Sequence, residues 1–385
     1  MTLQEYKKQK MQNPDFSAAY DEIQPEMDII RAIIDARISQ NMTQKELSER
    51  TGINQTEISR LENGSRNPSI KLLQRLAEGM GMTLKVSMIT KNLKNFNLRQ
   101  IADSGQCFRM IPCAPNDPQT AYRVISDGHF LIVDQNRDEV IFHCPNDEFA
   151  FWDHYFDLGT DYGAYIRAVD PADEYLSKAA AFGSGIRILN QDLWEMIITF
   201  IISQQKTIPA IRALVEALSE KYGTRYELSS GYYYAFPTPE ELNHASLDDL
   251  LALKLGYRAK YIKRTCEDVC SGKMDLDRLR GLNYSDSMEA LLSCYGIGVK
   301  VANCICLFGL HHIGAFPVDT WIKKILLREY APKSRCISHI PESRLCEALI
   351  EENFSKYPGF SGVLQQYIFF YEREFSSKAA QTANV

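Results

Sequence analysis

Apolar residues recur at helical spacing in "MDIIRAIIDARISQ", which predicts an amphipathic helix. The next stretch, "TQKELSERTGINQTEISRLENGSRNPSIKLLQRLAEGMG", divides into three short helices with clear punctuation. Thr43 and Glu46 have capping-box spacing. Gly52 falls in a turn, Asn54 is placed to cap the following helix, and "NGSRNP" ends it. The polar segment "TKNLKNFN" reads as a linker. Beyond it the period changes. "CFRMIPCAP", "AYRVIS", "HFLIVDQ" and "EVIFHCP" are short, β-branched and aromatic, with Asp127–Gly128 as a hairpin signal between two of them. A small antiparallel sheet is expected. From about residue 149 onward the pattern is helical again to the end. The expected fold is α+β, mainly α. It comprises a helix-turn-helix bundle (1–90), a small antiparallel β domain (91–165) and a helical domain (166–385).

With 385 residues the chain is long enough for two or three domains. No run reaches the roughly 18 apolar residues of a membrane span, and the N-terminal residues lack the apolar core of a signal peptide. The ten cysteines are scattered, which suggests reduced thiols and a cytoplasmic location. Neither Cys304/Cys306 nor Cys266/Cys270 has a partner pair at zinc spacing, and no four-cysteine run suits an iron–sulfur cluster. A net charge of −6 argues against indiscriminate nucleic-acid binding but leaves room for a local basic groove.

Two helices joined at "RTGI" have helix-turn-helix spacing, and the second would enter a DNA major groove. Its outward residues are Gln55, Thr56 and Arg60, with Gln44 at the start of the preceding helix. Gln and Arg pair bidentately with adenine and guanine edges. Leu47, Ile53, Ile58 and Leu61 are expected to hold the helices together. The other reading is a small dimerisation domain with a solvated polar face. The stretch "TQKELSERTGINQTEISRLENGSRNPS" resembles the Cro/phage-repressor family, including its "ISRLENG" ending, over about residues 28–80.

Candidate chemistry centres on "CYGIGVKVANCICLFGL", a glycine-tight turn running into an apolar helix that carries Lys300 in its first turn. Such a lysine can simply pack its stem and reach water. Its position suggests more. Gly296 and Gly298 let backbone approach a phosphate at a helix N-terminus. The helix dipole and the flanking Val299 and Val301 favour the neutral amine that a nucleophile needs. Asp319 in "FPVDTWIKKILLREY" reads either as an N-cap or as a carboxylate placed to stabilise a developing cation. Lys300 and Cys304 share a helix face, as do Gln365 and Phe369 in "GVLQQYIFFY". Together they would make a nucleophile, a soft flat contact, an amide and an aromatic plate, a set suited to a flipped base. Cys304 or Phe369 alone reads better as core.

"YGIGVKVANCICLFGL" with "AFPVDTW" resembles the helix-hairpin-helix glycosylase superfamily, and more narrowly the 8-oxoguanine DNA glycosylase/AP lyases. "NLRQIADSGQCFRM", "GIRILNQDLWEMIITFIISQQ", "KLGYRAKYI" and "GVLQQYIFF" extend the resemblance over residues 97 to about 372, in the family's order. The resemblance implies that Lys300 attacks the sugar C1′ and forms a Schiff base, and that Asp319 stabilises the cationic transition state. It implies that the Gly105 carbonyl accepts the N7 hydrogen of 8-oxoguanine, that Cys304 and Phe369 sandwich the base, and that Gln365 reads its Watson–Crick edge. Tyr257 would wedge the duplex and Arg258 would contact the opposite cytosine. No metal or organic cofactor is required by this chemistry. Four positions depart from the pattern. Gln205 stands where eukaryotic members place an asparagine, Ala210 where a second arginine is expected, Trp321 where a phosphate-contacting histidine is expected, and Cys294–Tyr295 where the hairpin has Leu-Pro. The first two point to relaxed discrimination of the opposite base. The alternative reading is a helix-turn-helix transcription regulator whose glycosylase-like part is a lesion sensor or scaffold. An intact Lys300–Asp319 pair argues against a dead domain.

Overall fold

The capping signals of the N-terminal segment are realised. The computed structural model describes residues 27, 29–65, 68–82, 88–114, 121–228, 231–334 and 340–382. Helix α1 covers 29–39, α2 Gln44–Thr51, α3 Gln55–Glu62 and α4 Ile70–Gly79. Thr43 Oγ1 accepts the Glu46 N–H at 3.2 Å, and the Glu46 carboxylate accepts the Thr43 N–H at 2.8 Å, closing the reciprocal box. Gly52 ends α2 at φ +65°, a left-handed conformation that glycine adopts without strain. Asn54 Oδ1 accepts from Thr56 N at 2.9 Å and starts α3. Leu47, Ile53, Ile58 and Leu61 are buried together with Leu76, as their spacing predicts.

The five-stranded antiparallel sheet has order β1-β5-β4-β3-β2, with β1 Ile89–Asn92, β2 Met110–Pro112, β3 Tyr122–Ser126, β4 His129–Asn136 and β5 Glu139–His143. Asp127 (φ +47°) and Gly128 (φ +75°) form the turn that sets Ser126 opposite His129. Below the sheet, Trp152, Phe142, Phe156, Leu131 and Val133 are fully buried. Strand β1 corrects one expectation. Residues 90–92 open the expected linker, yet they pair with β5, Thr90 opposite Ile141. Only Ile89 of the strand's four residues is partly covered, because an edge strand is held by its backbone hydrogen bonds.

The helical region carries the site on α5 (Leu98–Asp103), α6 (Leu193–Ser203), α7 (Ile208–Tyr222), α8 (Arg258–Cys270), α9 (Tyr284–Leu292), α10 (Val299–Phe308), α11 (Thr320–Ile325) and α12 (Ser361–Thr382). A second departure is the hairpin of β6 (Arg225–Leu228) and β7 (Gly231–Tyr234), which the uniform helical expectation missed. Its aromatic run "GYYY" is strand-forming, and Tyr226 stacks on Tyr233 at 5.3 Å. Contacts divide the chain into two compact units: residues up to 86 with 225–233, and 87–224 with 234–385. No helix among the described residues is long and apolar enough to cross a membrane.

Helices α6 and α10 form the centre of the larger core and are buried along almost their whole lengths. Helix α6 buries a carboxylate there. Glu195 is 4% exposed, and its Oε2 has no hydrogen-bond partner among the described residues. Burial pushes its carboxyl up to about 8, against the pull of Arg109. A raised folded-state pKa means that the folded chain holds the proton more tightly. This contribution is therefore complete below the unfolded value of about 4.3 and is lost as pH rises through about 8. Glu195→Gln should flatten the fall in melting temperature over that interval and leave the variant more stable than the parent above it.

Candidate active site and DNA-facing surface

The hairpin is shaped by backbone needs. Gly296 sits at φ +86°, and a Cβ there would lie 2.3 Å from the Tyr261 ring, so both conformation and space demand glycine. Gly298 ends the turn as the N-cap of α10, without a side-chain cap and with open space around it. The first amides of α10 are thus left for an outside acceptor. Gly296→Ala should cost roughly 2 kcal/mol or more and weaken DNA binding. Gly298→Ala should leave the melting temperature unchanged. Thermal denaturation and duplex titration of both variants check the contrast.

Lys300 is the second residue of α10. Its Nζ lies 5.4 Å from the centre of the Phe200 ring, which α6 supplies. That ring is buried, stacks on Phe308 at 5.4 Å, and offers its face to the ammonium. Cys304 is buried on the same face of α10. Burial raises its thiol, the hydrogen-bonding Lys300 ammonium acts in the opposite direction, and Asp319 adds to the rise. Lys300 and Asp319 therefore both act on one sulfur, although no ion pair joins them among the described residues. The two flanking valines divide. Val301 is buried as expected, but Val299 is 63% exposed. Val299 is the first residue of α10, on the hairpin's open side.

Asp319 is the N-cap of α11, and its Oδ1 accepts the Ile322 N–H at 2.8 Å. The capping reading is thus realised. It also serves the other one, because the bond orients the carboxylate and leaves its second oxygen available. Helix α11 packs against α12, which carries Gln365 and Phe369. Gln365 is buried, and its Oε1 accepts from Gln366 Nε2 at 2.9 Å. Phe369 is half-buried and lies against the Gly105 turn, where an added Cβ would come 3.1 Å from its ring. Gly105 itself has φ +81°. The carbonyl turn and the aromatic plate therefore lie side by side, with no room for a side chain between them.

Around the hairpin, large apolar side chains face outward. Tyr295 is 56% exposed and Tyr257 44%, while Trp321, in the first turn of α11, is 42% exposed. Such clustering on one surface marks an interaction face. Tyr261 meets both Tyr257 and Tyr295 edge-to-face at 5.6 and 5.1 Å. Gln204, which sequence reasoning missed, ties this face together. Its Nε2 donates to the Gly296 carbonyl at 3.1 Å, and its own carbonyl accepts from Arg258 Nε at 2.8 Å. The next residue, Gln205, is exposed at φ +53°. Arg258 is buried and also donates to the Leu255 carbonyl at 3.2 Å, so its guanidinium must leave these partners to reach a base. Ala210 is half-buried on α7.

In the N-terminal unit, Gln55, Thr56 and Arg60 are exposed along α3. Gln44 is held instead. Its Nε2 donates to Glu62 at 2.7 Å, and the same carboxylate pairs with Arg37 at 2.7 Å. Among the described residues no three His, Cys, Asp or Glu side chains are grouped to hold a metal ion.

Comparison with known proteins agrees with this layout. Residues 33–86 match a helix-turn-helix domain, 88–197 the N-terminal domain of 8-oxoguanine DNA glycosylase, and 198–352 the HhH-GPD superfamily of base excision DNA repair proteins. The chain is 31% identical over 274 residues to an N-glycosylase/DNA lyase of Saccharomyces cerevisiae, covering 65% of this chain and 72% of that one. It is 30% identical to a probable N-glycosylase/DNA lyase of Methanothermobacter thermautotrophicus, covering 45% of this chain and 61% of that one. The Clostridium acetobutylicum 8-oxoguanine glycosylase/lyase bound to DNA with cytosine opposite 8-oxoguanine superposes with a TM-score of 0.68 at 33% identity. That match covers 76% of this chain and 99% of that one. The chain belongs to the 8-oxoguanine N-glycosylase/DNA lyase family of helix-hairpin-helix repair enzymes, with a helix-turn-helix domain at its N-terminal side.

Proposed function

We propose that the chain excises 8-oxoguanine from duplex DNA through a Schiff base on Lys300 and then nicks the strand by β-elimination. The observation that carries this reading is the placement of Lys300 between the Phe200 ring and the Cys304 thiol, with Asp319 acting on the same sulfur. In this reading Gly296 and Gly298 receive a backbone phosphate, and Trp321 offers one indole donor beside them. The damaged base leaves the stack at a cost of a few kcal/mol. It lodges between Cys304 and Phe369, with its N7–H on the Gly105 carbonyl and its Watson–Crick edge on Gln365. Gln205 and Tyr257 occupy the vacated stack, and Arg258 turns to the opposite base.

Neutral Lys300 displaces the base, and Asp319 stabilises the positive charge that develops on the sugar. The iminium that follows makes the sugar's 2′ proton acidic enough for elimination of the 3′ phosphate. Release of free 8-oxoguanine from an 8-oxoguanine:cytosine duplex, with an undamaged guanine:cytosine duplex as control, tests the substrate. Equal turnover of the two would remove the lesion reading. Because Ala210 offers no guanidinium, excision opposite adenine should approach that opposite cytosine.

The exposed Gln55, Thr56 and Arg60 support a sequence-specific DNA contact by the N-terminal domain. The same domain is a candidate for dimerisation. We place the enzyme in the cytoplasm on the strength of the scattered spacing of its cysteines.

A further inference from the structure

The turn that carries Gly105 is held from several directions. Helix α5 ends at Asp103, and a helix of six residues has little stability of its own. Its last carbonyls meet two arginines. Arg212 of α7 donates Nη2 to the Ala102 carbonyl at 3.0 Å, and Arg373 of α12 donates Nη2 to the Asp103 carbonyl. Cations at a helix C-terminus are favourably placed against the partial negative charge of these carbonyls. On the other side of Gly105, the buried Gln106 donates Nε2 to Ser104 Oγ at 2.8 Å and to the Arg187 carbonyl at 2.8 Å, and its Oε1 accepts from Leu189 N at 2.9 Å. Between these clamps, the Gly105 carbonyl accepts no hydrogen bond among the described residues.

Arg373 alone among the clamping groups also touches the aromatic plate. It lies one helical turn beyond Phe369 on α12, with its guanidinium carbon 5.8 Å from that ring's centre. Its Nη1 would be 3.6 Å from a Cβ at Gly105. One rigid, planar group thus spans the carbonyl turn and the plate, and its fork geometry lets it hold both at once.

We propose that Arg373 is a positioning residue for lesion recognition. It fixes the height of the Gly105 carbonyl relative to the Phe369 ring, so that a purine stacked on Phe369 presents its N7 edge at hydrogen-bonding distance. A free acceptor held in place before the base arrives costs no reorganisation on binding. An undamaged guanine, with no N7 hydrogen, then leaves that acceptor buried without a partner, which is penalised.

This inference rests on the lesion reading proposed above, and its test separates the two. Excision of 8-oxoguanine opposite cytosine and cleavage of a preformed abasic site are measured in single turnover on the full chain. Abasic-site cleavage uses Lys300 but needs no base recognition. For Arg373→Gln, the ratio of excision to abasic-site cleavage should fall about tenfold, the scale of one charge-assisted hydrogen bond. Arg373→Lys keeps a cation but not the fork, and should give an intermediate ratio. Melting temperatures of both variants identify any general loss of fold, which would lower the two rates together. A ratio equal to that of the parent in both variants, or parallel loss of both activities, would overturn the inference. No preference of the parent for 8-oxoguanine over guanine would instead sink the lesion reading, and the inference with it.

Discussion

Lys300→Gln should retain its fold and its affinity for a lesion-containing duplex while losing strand cleavage completely. Glutamine fills nearly the same space, so the Phe200 ring and the Cys304 thiol remain covered and the change in stability should stay within about 1 kcal/mol. The amide has no nucleophilic nitrogen. Base release should fall by at least about a thousandfold, because the covalent route that divides the reaction into easier steps is gone. A lysine that only packed its stem at the edge of a helix would give a different result, since its replacement would leave both activities near those of the parent. Gel assays for strand cleavage and a binding titration on the same preparation distinguish the two roles.

Asp319→Asn should be the second large loss. Asparagine is as good an N-cap as aspartate, so the bond to Ile322 N can be kept and the melting temperature should hardly move. What disappears is the negative charge. Electrostatic stabilisation of a developing cation is commonly worth factors of about 10²–10³, and base release should fall by that much. The lyase step on a preformed abasic site lacks the glycosidic transition state and should suffer less. If Asp319 were a cap and nothing else, Asp319→Asn would match the parent in rate as well as in stability.

Legibility in the sequence followed the range of the interactions. Local ones could be read. Thr43 with Glu46, Asn54 before α3, and Asp127–Gly128 between β3 and β4 are signals carried by a few neighbouring residues, and each forms as expected. The helix faces carrying Lys300 with Cys304 and Gln365 with Phe369 also follow from periodicity alone. Edge pairing could not be read, because β1 depends on backbone bonds to β5 and its side chains alternate without an apolar face. Nor could the floor beneath Lys300. Phe200 looks like one more apolar residue of a buried helix until α6 and α10 are packed together.

The same limit applies to the DNA-facing residues. The family resemblance implies that Arg258 contacts the opposite cytosine, yet Arg258 is buried on the Gln204 carbonyl. Gln204 sits next to the singled-out Gln205 and looks interchangeable with it. Only the fold shows that one side chain braces the hairpin through the Gly296 carbonyl while the other projects outward. Gln44 likewise reads as a base-reading residue, and the structure commits its amide to Glu62.

The central claim is that a covalent bond forms between Lys300 and the lesion-bearing strand. It is tested most directly by adding borohydride while the full chain acts on a labelled duplex with one 8-oxoguanine opposite cytosine. The account predicts a protein–DNA adduct that survives denaturation and maps to Lys300, and no adduct with Lys300→Gln. An adduct that persists in Lys300→Gln, or none with the parent on a duplex that it demonstrably cleaves, would contradict it.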